Sequence, residues 1–137
     1  MDRVEFSQIL VQARENVGLG KNEMCRQTGY TFVQLQLLEA RPNNFAMDKA
    51  FHYLDSIGMV LAIEKDENNT KLNDIESIAT WLKAARNGIY TQRSLAKTIG
   101  CTYPTIANIE RGSNKVTVDN FLKLADTLGY TIKIVPK

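Results

Sequence analysis

The chain has 137 residues, of which 44% are hydrophobic, and its formal net charge is +2. This length supports one compact domain or two very small ones. No apolar run approaches the length of a membrane span, and residues 1–5 do not resemble the start of a signal peptide. Cys25 and Cys101 lack CxxC spacing, so they indicate neither a zinc site nor a disulfide framework. We therefore expect a reducing, cytoplasmic compartment.

The charge is distributed unevenly along the chain. Residues 1–65 carry seven basic and eight acidic side chains, a net charge of −1. Residues 71–137 carry ten basic and five acidic side chains, a net charge of +5. An excess of positive charge in the second half is what a surface that binds nucleic acid requires. An ordinary solvated surface can carry the same bias, so charge alone leaves both interpretations open.

The first half predicts four helices and a strand. Phe6, Leu10 and Ala13 recur at helical spacing, which predicts a helix over residues 4–16. The other predicted elements are helices over residues 21–28, 32–39 and 47–57 and an apolar strand over residues 59–65. The polar segment 66–71, DENNTK, has no apolar residue and predicts an exposed linker.

The second half predicts the same order of elements. Ile78, Trp81 and Leu82 lie at helical spacing and are expected to be buried. The elements predicted around the central stretch are a helix over residues 75–87, a helix over residues 117–128 and a strand over residues 130–135.

The central stretch 91–112, TQRSLAKTIGCTYPTIANIERG, predicts two short helices and a tight turn. Gly100 ends the first helix, because glycine adopts left-handed backbone without steric strain. Thr102 is expected to cap the second helix, with its hydroxyl accepting a hydrogen bond from a first-turn amide. Pro104 falls in that turn, where its missing N–H costs nothing. The outward face is compact and polar enough to enter a DNA major groove. It consists of Tyr103, Thr105 and Asn108.

The two halves repeat one another at a spacing of 71 residues. The matching pairs include Gly29 with Gly100, Thr31 with Thr102, Glu39 with Glu110 and Gly58 with Gly129. Such self-similarity indicates that one structural unit occurs twice. We hypothesise that the two predicted strands pair with each other as a small antiparallel sheet. The alternatives are that each strand folds back on its own unit, or that the last one is a frayed tail.

Residues 91–129 resemble the Cro/C1-type (Xre-type) helix-turn-helix family of prokaryotic and phage DNA-binding proteins. The shared pattern is Thr-Gln opening helix two, Leu-Ala within it, glycine at the turn, isoleucine within helix three and then Ile-Glu-Arg-Gly. The first half resembles the family more weakly. The strand after helix four is similar to that of Hip-type antitoxins, where such strands pair across a dimer. The resemblance implies a mainly α fold of two tandem lambda-repressor-like units, each with four helices and a short C-terminal strand.

The resemblance also implies a DNA-binding surface within residues 72–137. Gln92 is expected to hydrogen-bond a phosphate and to brace helix three. Tyr103, Thr105 and Asn108 are expected to face the groove, where the Asn108 amide could pair with an adenine edge. The side chains expected along the DNA backbone are Arg93, Thr102, Arg111, Asn114 and Lys115.

Glu39 and Glu110 have a different implied role. In the family, the glutamate at this position often pairs with an arginine at the end of helix one. Arg14 and Arg86 stand at the matching places in the two halves. The turn after Arg86 is one residue shorter than the turn after Arg14, so the second pair must span a different connection. A partly buried pair of this kind orients helices more than it stabilises them.

The third helix of the first half lacks two of the polar residues that the second half offers for DNA binding. Phe32 stands where Tyr103 stands, and Leu37 stands where Asn108 stands. A leucine cannot hydrogen-bond a base edge, and an exposed apolar set more often marks a protein contact. We therefore expect residues 1–65 to form a degenerate packing or dimerisation unit; the alternative is a second DNA reader.

The expected function is sequence-specific binding of double-stranded DNA by a transcriptional regulator that acts as a repressor. A homodimer would present two copies of the basic second unit to DNA. The alternative is an antitoxin or adaptor whose main role is to bind a protein partner, such as a toxin. No enzyme, cofactor or metal site is expected, because there is no glycine-rich phosphate loop, no nucleophile with a histidine base and no metal-ligand cluster.

Overall fold

The computed structural model describes residues 1–112 and 116–137, which contain eight helices and three strands. The helices are Arg3–Asn16 (α1), Lys21–Thr28 (α2), Phe32–Glu39 (α3), Met47–Asp55 (α4), Ile75–Arg86 (α5), Gln92–Ile99 (α6), Tyr103–Glu110 (α7) and Val118–Thr127 (α8). The strands are Met59–Lys65 (β1), Asn68–Leu72 (β2) and Thr131–Pro136 (β3). The predicted mainly helical fold is confirmed, and the predicted elements begin and end within two residues of the observed ones.

Local hydrogen bonds explain where several helices begin. Helices α1, α3, α5 and α6 each start with a capping box, in which the N-cap side chain and the third helical residue bond each other's backbone N–H. The pairs are Asp2–Glu5, Thr31–Gln34, Asp74–Ser77 and Thr91–Ser94. All the helices in the described part of the chain are short, and none is long and apolar enough to cross a membrane.

A three-stranded antiparallel sheet in the order β2-β1-β3 joins the two halves. The pairing of β1 with β3 confirms the hypothesis that the two predicted strands pair with each other. Residues 60–63 of β1 are all buried, as a central strand covered on both faces should be.

Strand β2 is a correction to the sequence analysis. The segment 66–71, interpreted above as a linker, instead forms a turn at residues 66–67 and most of β2. The segment is largely exposed, as predicted. It has no apolar alternation to reveal a strand, because an edge strand needs only its backbone to pair with β1.

Two of the backbone pairings between the halves join positions that the spacing of 71 equates. Ala62 lies opposite Lys133 in the sheet, and Ala46 forms an isolated antiparallel bridge with Thr117. Each pair differs by 71 residues. The bridge is flanked by reciprocal backbone hydrogen bonds, from Met47 N–H to the Val116 carbonyl at 2.7 Å and from Val118 N–H to the Phe45 carbonyl at 2.8 Å. Symmetric pairing of this kind is what a local twofold axis produces, and the tandem duplication stays a prediction.

The buried apolar side chains of both halves belong to one cluster. The Trp81 ring of α5 contacts the rings of Phe121 and Tyr130, with centroids 6.0 and 5.4 Å apart. Ile78, Trp81 and Leu82 are buried, as predicted. Because the core is shared, each half is packed against the other as well as on itself.

Both expected arginine–glutamate pairs are present. Arg14 donates to Glu39 at 2.9 and 3.2 Å, and Arg86 donates to Glu110 at 2.5 and 2.9 Å. Each arginine also donates to a backbone carbonyl of the following turn. The acceptors are Leu19, five residues after Arg14, at 2.8 Å and Tyr90, four residues after Arg86, at 3.1 Å. The shorter second turn therefore keeps the same bracing contact.

Candidate nucleic-acid interface

Helices α6 and α7 are held against each other by a small apolar contact. Leu95, Ala96 and Ile99 of α6 are buried, as are Ile106 and Ile109 of α7. Between the helices, the backbone of the turn glycine is left-handed, with φ of 79°, as predicted. This packing turns the opposite side of α7 outward, although an isolated eight-residue helix would not be stable in water.

The start of α7 departs from the expected cap. Thr102 occupies the N-cap position, but its hydroxyl makes no hydrogen bond to a backbone amide. It lies 3.0 Å from the Thr105 hydroxyl instead. The predicted capping bond is therefore wrong, for two local reasons. Pro104 has no N–H to donate, and the Thr105 N–H bonds the Thr102 carbonyl at 3.1 Å.

The last turn of α7 is fixed by a buried charged network. Glu110 is 8% exposed and accepts hydrogen bonds from Arg86 of α5 and, at 3.1 Å, from the Gln92 amide of α6. Burial opposes ionisation of Glu110, but the hydrogen bonds from Arg86 and Gln92 lower its pKa overall. Gln92 thus contacts α7 as the expected brace would. Its contact with a phosphate stays a prediction.

The accessible side of α7 carries the residues expected to face the groove. Tyr103 is 39% exposed, and the Arg93 guanidinium carbon lies 4.5 Å from the centroid of its ring. This cation–π contact holds the two side chains together beside the helix start. Thr105 and Asn108 are half-buried, and the Asn108 side-chain oxygen accepts a hydrogen bond from exposed Arg111.

The remaining two predicted site residues, Asn114 and Lys115, lie outside the described residues. Lys97 is a candidate that sequence analysis missed. It is exposed on α6, four residues after Arg93, and helical residues four apart lie on the same face. That spacing was the signal that could have identified it. Exposed Ile89 also contributes to an open depression of about 630 Å³ that Arg93 and Tyr103 line, and no sequence signal pointed to it.

The charges on this surface all have one sign. Arg93, Lys97 and Arg111 are exposed, and none forms an ion pair with another described residue. The single carboxylate of α6 and α7 is buried Glu110, which its partners neutralise. A polyanion approaching α7 would therefore meet cations and hydrogen-bonding groups without repulsion from a carboxylate on either helix.

The geometry agrees with a comparison against known protein families. Residues 82–135, from α5 to β3, match a family model described as helix-turn-helix. No curated protein and no solved structure matches the chain. The match supports a helix-turn-helix unit over residues 82–135 and, in general terms, a DNA-binding transcription regulator.

Proposed function

We propose that the chain recognises a specific DNA sequence through α7 and represses transcription by occupying a promoter. The observation that carries this proposal is the outward face of α7. Its side chains can bond base edges, exposed cations flank it, and the carboxylate on α7 is buried. An α-helix fits the major groove, where each base pair presents a distinct pattern of donors and acceptors.

The proposed contacts divide into those that read bases and those that position the helix. The Asn108 amide pairs with an adenine edge, and the Thr105 methyl touches a thymine methyl. Tyr103 also faces the groove. The residues proposed to contact the DNA backbone are Gln92, Arg93, Thr102, Arg111, Asn114 and Lys115, with Lys97 added from its position on α6.

Arg111 has a second part in this proposal. In the unbound chain it donates to the Asn108 side-chain oxygen. An adenine N6 amino group would need the same oxygen as its acceptor. We propose that Arg111 turns from Asn108 to a phosphate as the helix enters the groove, so that one side chain couples the base contact to the backbone contact.

A matched pair of double variants tests the proposal. The bound sequence is first selected from random duplexes with the full chain. Tyr103→Ala with Asn108→Ala should then weaken binding to it by about 100-fold, because each lost base contact costs on the order of 1 kcal/mol or more. Phe32→Ala with Gln34→Ala, at the positions of α3 that match Tyr103 and Thr105, should leave affinity unchanged. Equal losses in both variants, with circular dichroism spectra intact, would show that α3 also reads DNA.

Assembly on DNA is a separate part of the proposal. A homodimer would present two copies of α7 to half-sites about 34 Å apart, one helical turn of DNA. The selected sites should then be palindromic, and sedimentation equilibrium should give twice the mass of one chain. A non-palindromic site bound by a single chain would remove the homodimer and leave base reading by α7 intact.

The exposed apolar residues of α3 favour a second candidate function, in which the chain is an antitoxin or adaptor that binds a protein. Phe32 is 51% exposed and Val33 is 68% exposed. The salt dependence of binding to random duplex DNA separates the two functions. A DNA-binding protein should show a log–log slope of about −0.9 for each phosphate contacted, whereas a pure protein binder should show no such binding.

A further inference from the structure

The outer side of α3 is an apolar groove that residues 1–112 and 116–137 leave uncovered. Phe32, Val33 and Leu37 are 51%, 68% and 37% exposed, the groove has a volume of about 450 Å³, and Ala40 also lines it. Thr31 caps the helix with a full capping box, and Leu35 and Leu38 are buried beneath it. The exposed residues are therefore held in place by a packed helix.

Two charged residues line the groove, and both are cations. Lys21, at the start of α2, and Arg41, just after α3, line it together with Gln36, and no carboxylate does. Neither cation forms an ion pair within the described part of the chain. The Lys21 ammonium lies 6.0 Å from the Phe32 ring centroid, so it borders the apolar surface directly.

The apolar centre and cationic rim of the groove argue against two classes of occupant, a second copy of the chain and DNA. A second copy of the chain would bring another Lys21 and Arg41 to a surface that already holds two uncompensated cations, and like charges in an interface disfavour it. DNA would bury Val33 and Leu37 against a groove whose base edges they cannot bond. A surface with an apolar centre and a cationic rim complements an apolar segment with an acidic rim.

We propose that the α3 groove binds an acidic amphipathic helix of another protein. The apolar stripe of that helix packs on Phe32, Val33 and Leu37, and its carboxylates pair with Lys21 and Arg41. Anchors spaced at i, i+3, i+4 and i+7 are the general pattern of a helix bound in a groove. The inference names the chemistry of the partner in the second candidate function, and it does not depend on DNA binding by α7.

The test uses a display library of peptides of about 16 residues, or four helical turns, selected on the full chain. Enriched peptides should be net acidic, with apolar residues at helical spacing. Their affinity should fall about tenfold in Lys21→Glu/Arg41→Glu and in Val33→Asp. Lys123→Glu, a charge reversal at an exposed position of α8, should leave affinity unchanged. Circular dichroism checks that the variants are folded.

Three results would overturn the proposal. Selection could yield no peptide that prefers the wild-type chain over Val33→Asp, or only neutral and basic peptides. Sedimentation equilibrium could show a dimer that Val33→Asp dissociates, which would make a second copy the occupant. Duplex DNA titrated in parallel could lose affinity in Lys21→Glu/Arg41→Glu as it does in Arg93→Glu. Duplex binding and peptide binding by the wild-type chain are measured separately, so failure of DNA binding is distinguishable from failure of this inference.

Discussion

Helices α3 and α7 have the same length and the same place in their halves, but they differ in what they expose. Both bury apolar residues beneath the helix and end in a glutamate paired with an arginine. Outward, α3 presents Phe32 and Leu37 where α7 presents Tyr103 and Asn108. The comparison teaches that two helices can share the same buried scaffold while their exposed sides carry different side-chain chemistry.

The two glutamates also differ in their second partner. The Tyr53 hydroxyl of α4 donates to Glu39, whereas the Gln92 amide of α6 donates to Glu110. At a spacing of 71, Leu124 stands where Tyr53 stands, and Lys21 stands where Gln92 stands. Burial, followed by the hydrogen bond to Glu39, raises the pKa of Tyr53. The first network is thus closed inside the core, while the second reaches the surface of α6.

The largest expected effect is the loss of unfolding free energy when Arg14 or Arg86 is removed. Comparing the two losses measures how far the two glutamate networks differ in stability. Arg14→Met and Arg86→Met leave a buried carboxylate without its cation, which costs about 3–5 kcal/mol of unfolding free energy. The loss should be larger for Arg14, whose side chain is 7% exposed, than for Arg86, at 17%. Urea unfolding monitored by circular dichroism measures both values. A reversed order would show that burial of the pair does not set its contribution.

Acid should weaken the second network. Because the pKa of Glu110 is lower in the folded chain than its usual value, its ionised form stabilises the fold above about pH 4.3, the unfolded value. That contribution is lost as the pH falls through the folded pKa. Glu110→Gln should therefore show a smaller drop in unfolding free energy between pH 7 and pH 3 than wild type. Asp126→Asn, at an exposed carboxylate of α8, serves as the control; an identical drop in wild type and Glu110→Gln would remove the role of Glu110.

The smallest expected effect concerns single phosphate contacts. Arg93→Ala should reduce the salt slope of duplex binding by about 1, because one fewer counterion is released. Asn22→Ala, at the matching position of α2, should leave the slope unchanged. Fluorescence anisotropy at several salt concentrations gives both slopes. A reduced salt slope in Asn22→Ala would show that the first half also contacts DNA, and the contrast between α3 and α7 would then be weaker.

Much of the fold could be predicted from sequence because its signals are local. The turn glycine of residues 91–112 and the apolar periodicity of the helices act within a few residues, and the observed helix bounds follow them. The pairing of β1 with β3 could be hypothesised from sequence, because two predicted strands both need partners, but folding back within each half was an open alternative. Strand β2 escaped prediction because its largely polar sequence has no apolar alternation, and its pairing with β1 depends on the backbone.

The candidate site was predictable only in its composition. Tyr103, Thr105 and Asn108 follow from the family pattern, but the absence of a capping bond at Thr102 depends on a competing backbone bond that no spacing reveals. The stacking of Arg93 on Tyr103 joins two helices and requires the turn between them to have its observed geometry. Contacts of this kind depend on the packing angle of α6 and α7, which sequence spacing does not specify.

The sequence by itself determined the helices, their turns, the repeat of 71 residues and the polar or apolar character of each exposed face. Local propensity and periodicity suffice for the helices, turns and exposed faces, since they involve residues close together in the chain, and the repeat follows from identities at matching positions. Only the tertiary structure decided which cations lack an ion pair, how Arg86 reaches the shortened turn, and that the apolar side of α3 stays uncovered. These depend on residues far apart in sequence, whose distances are set by packing of the shared core.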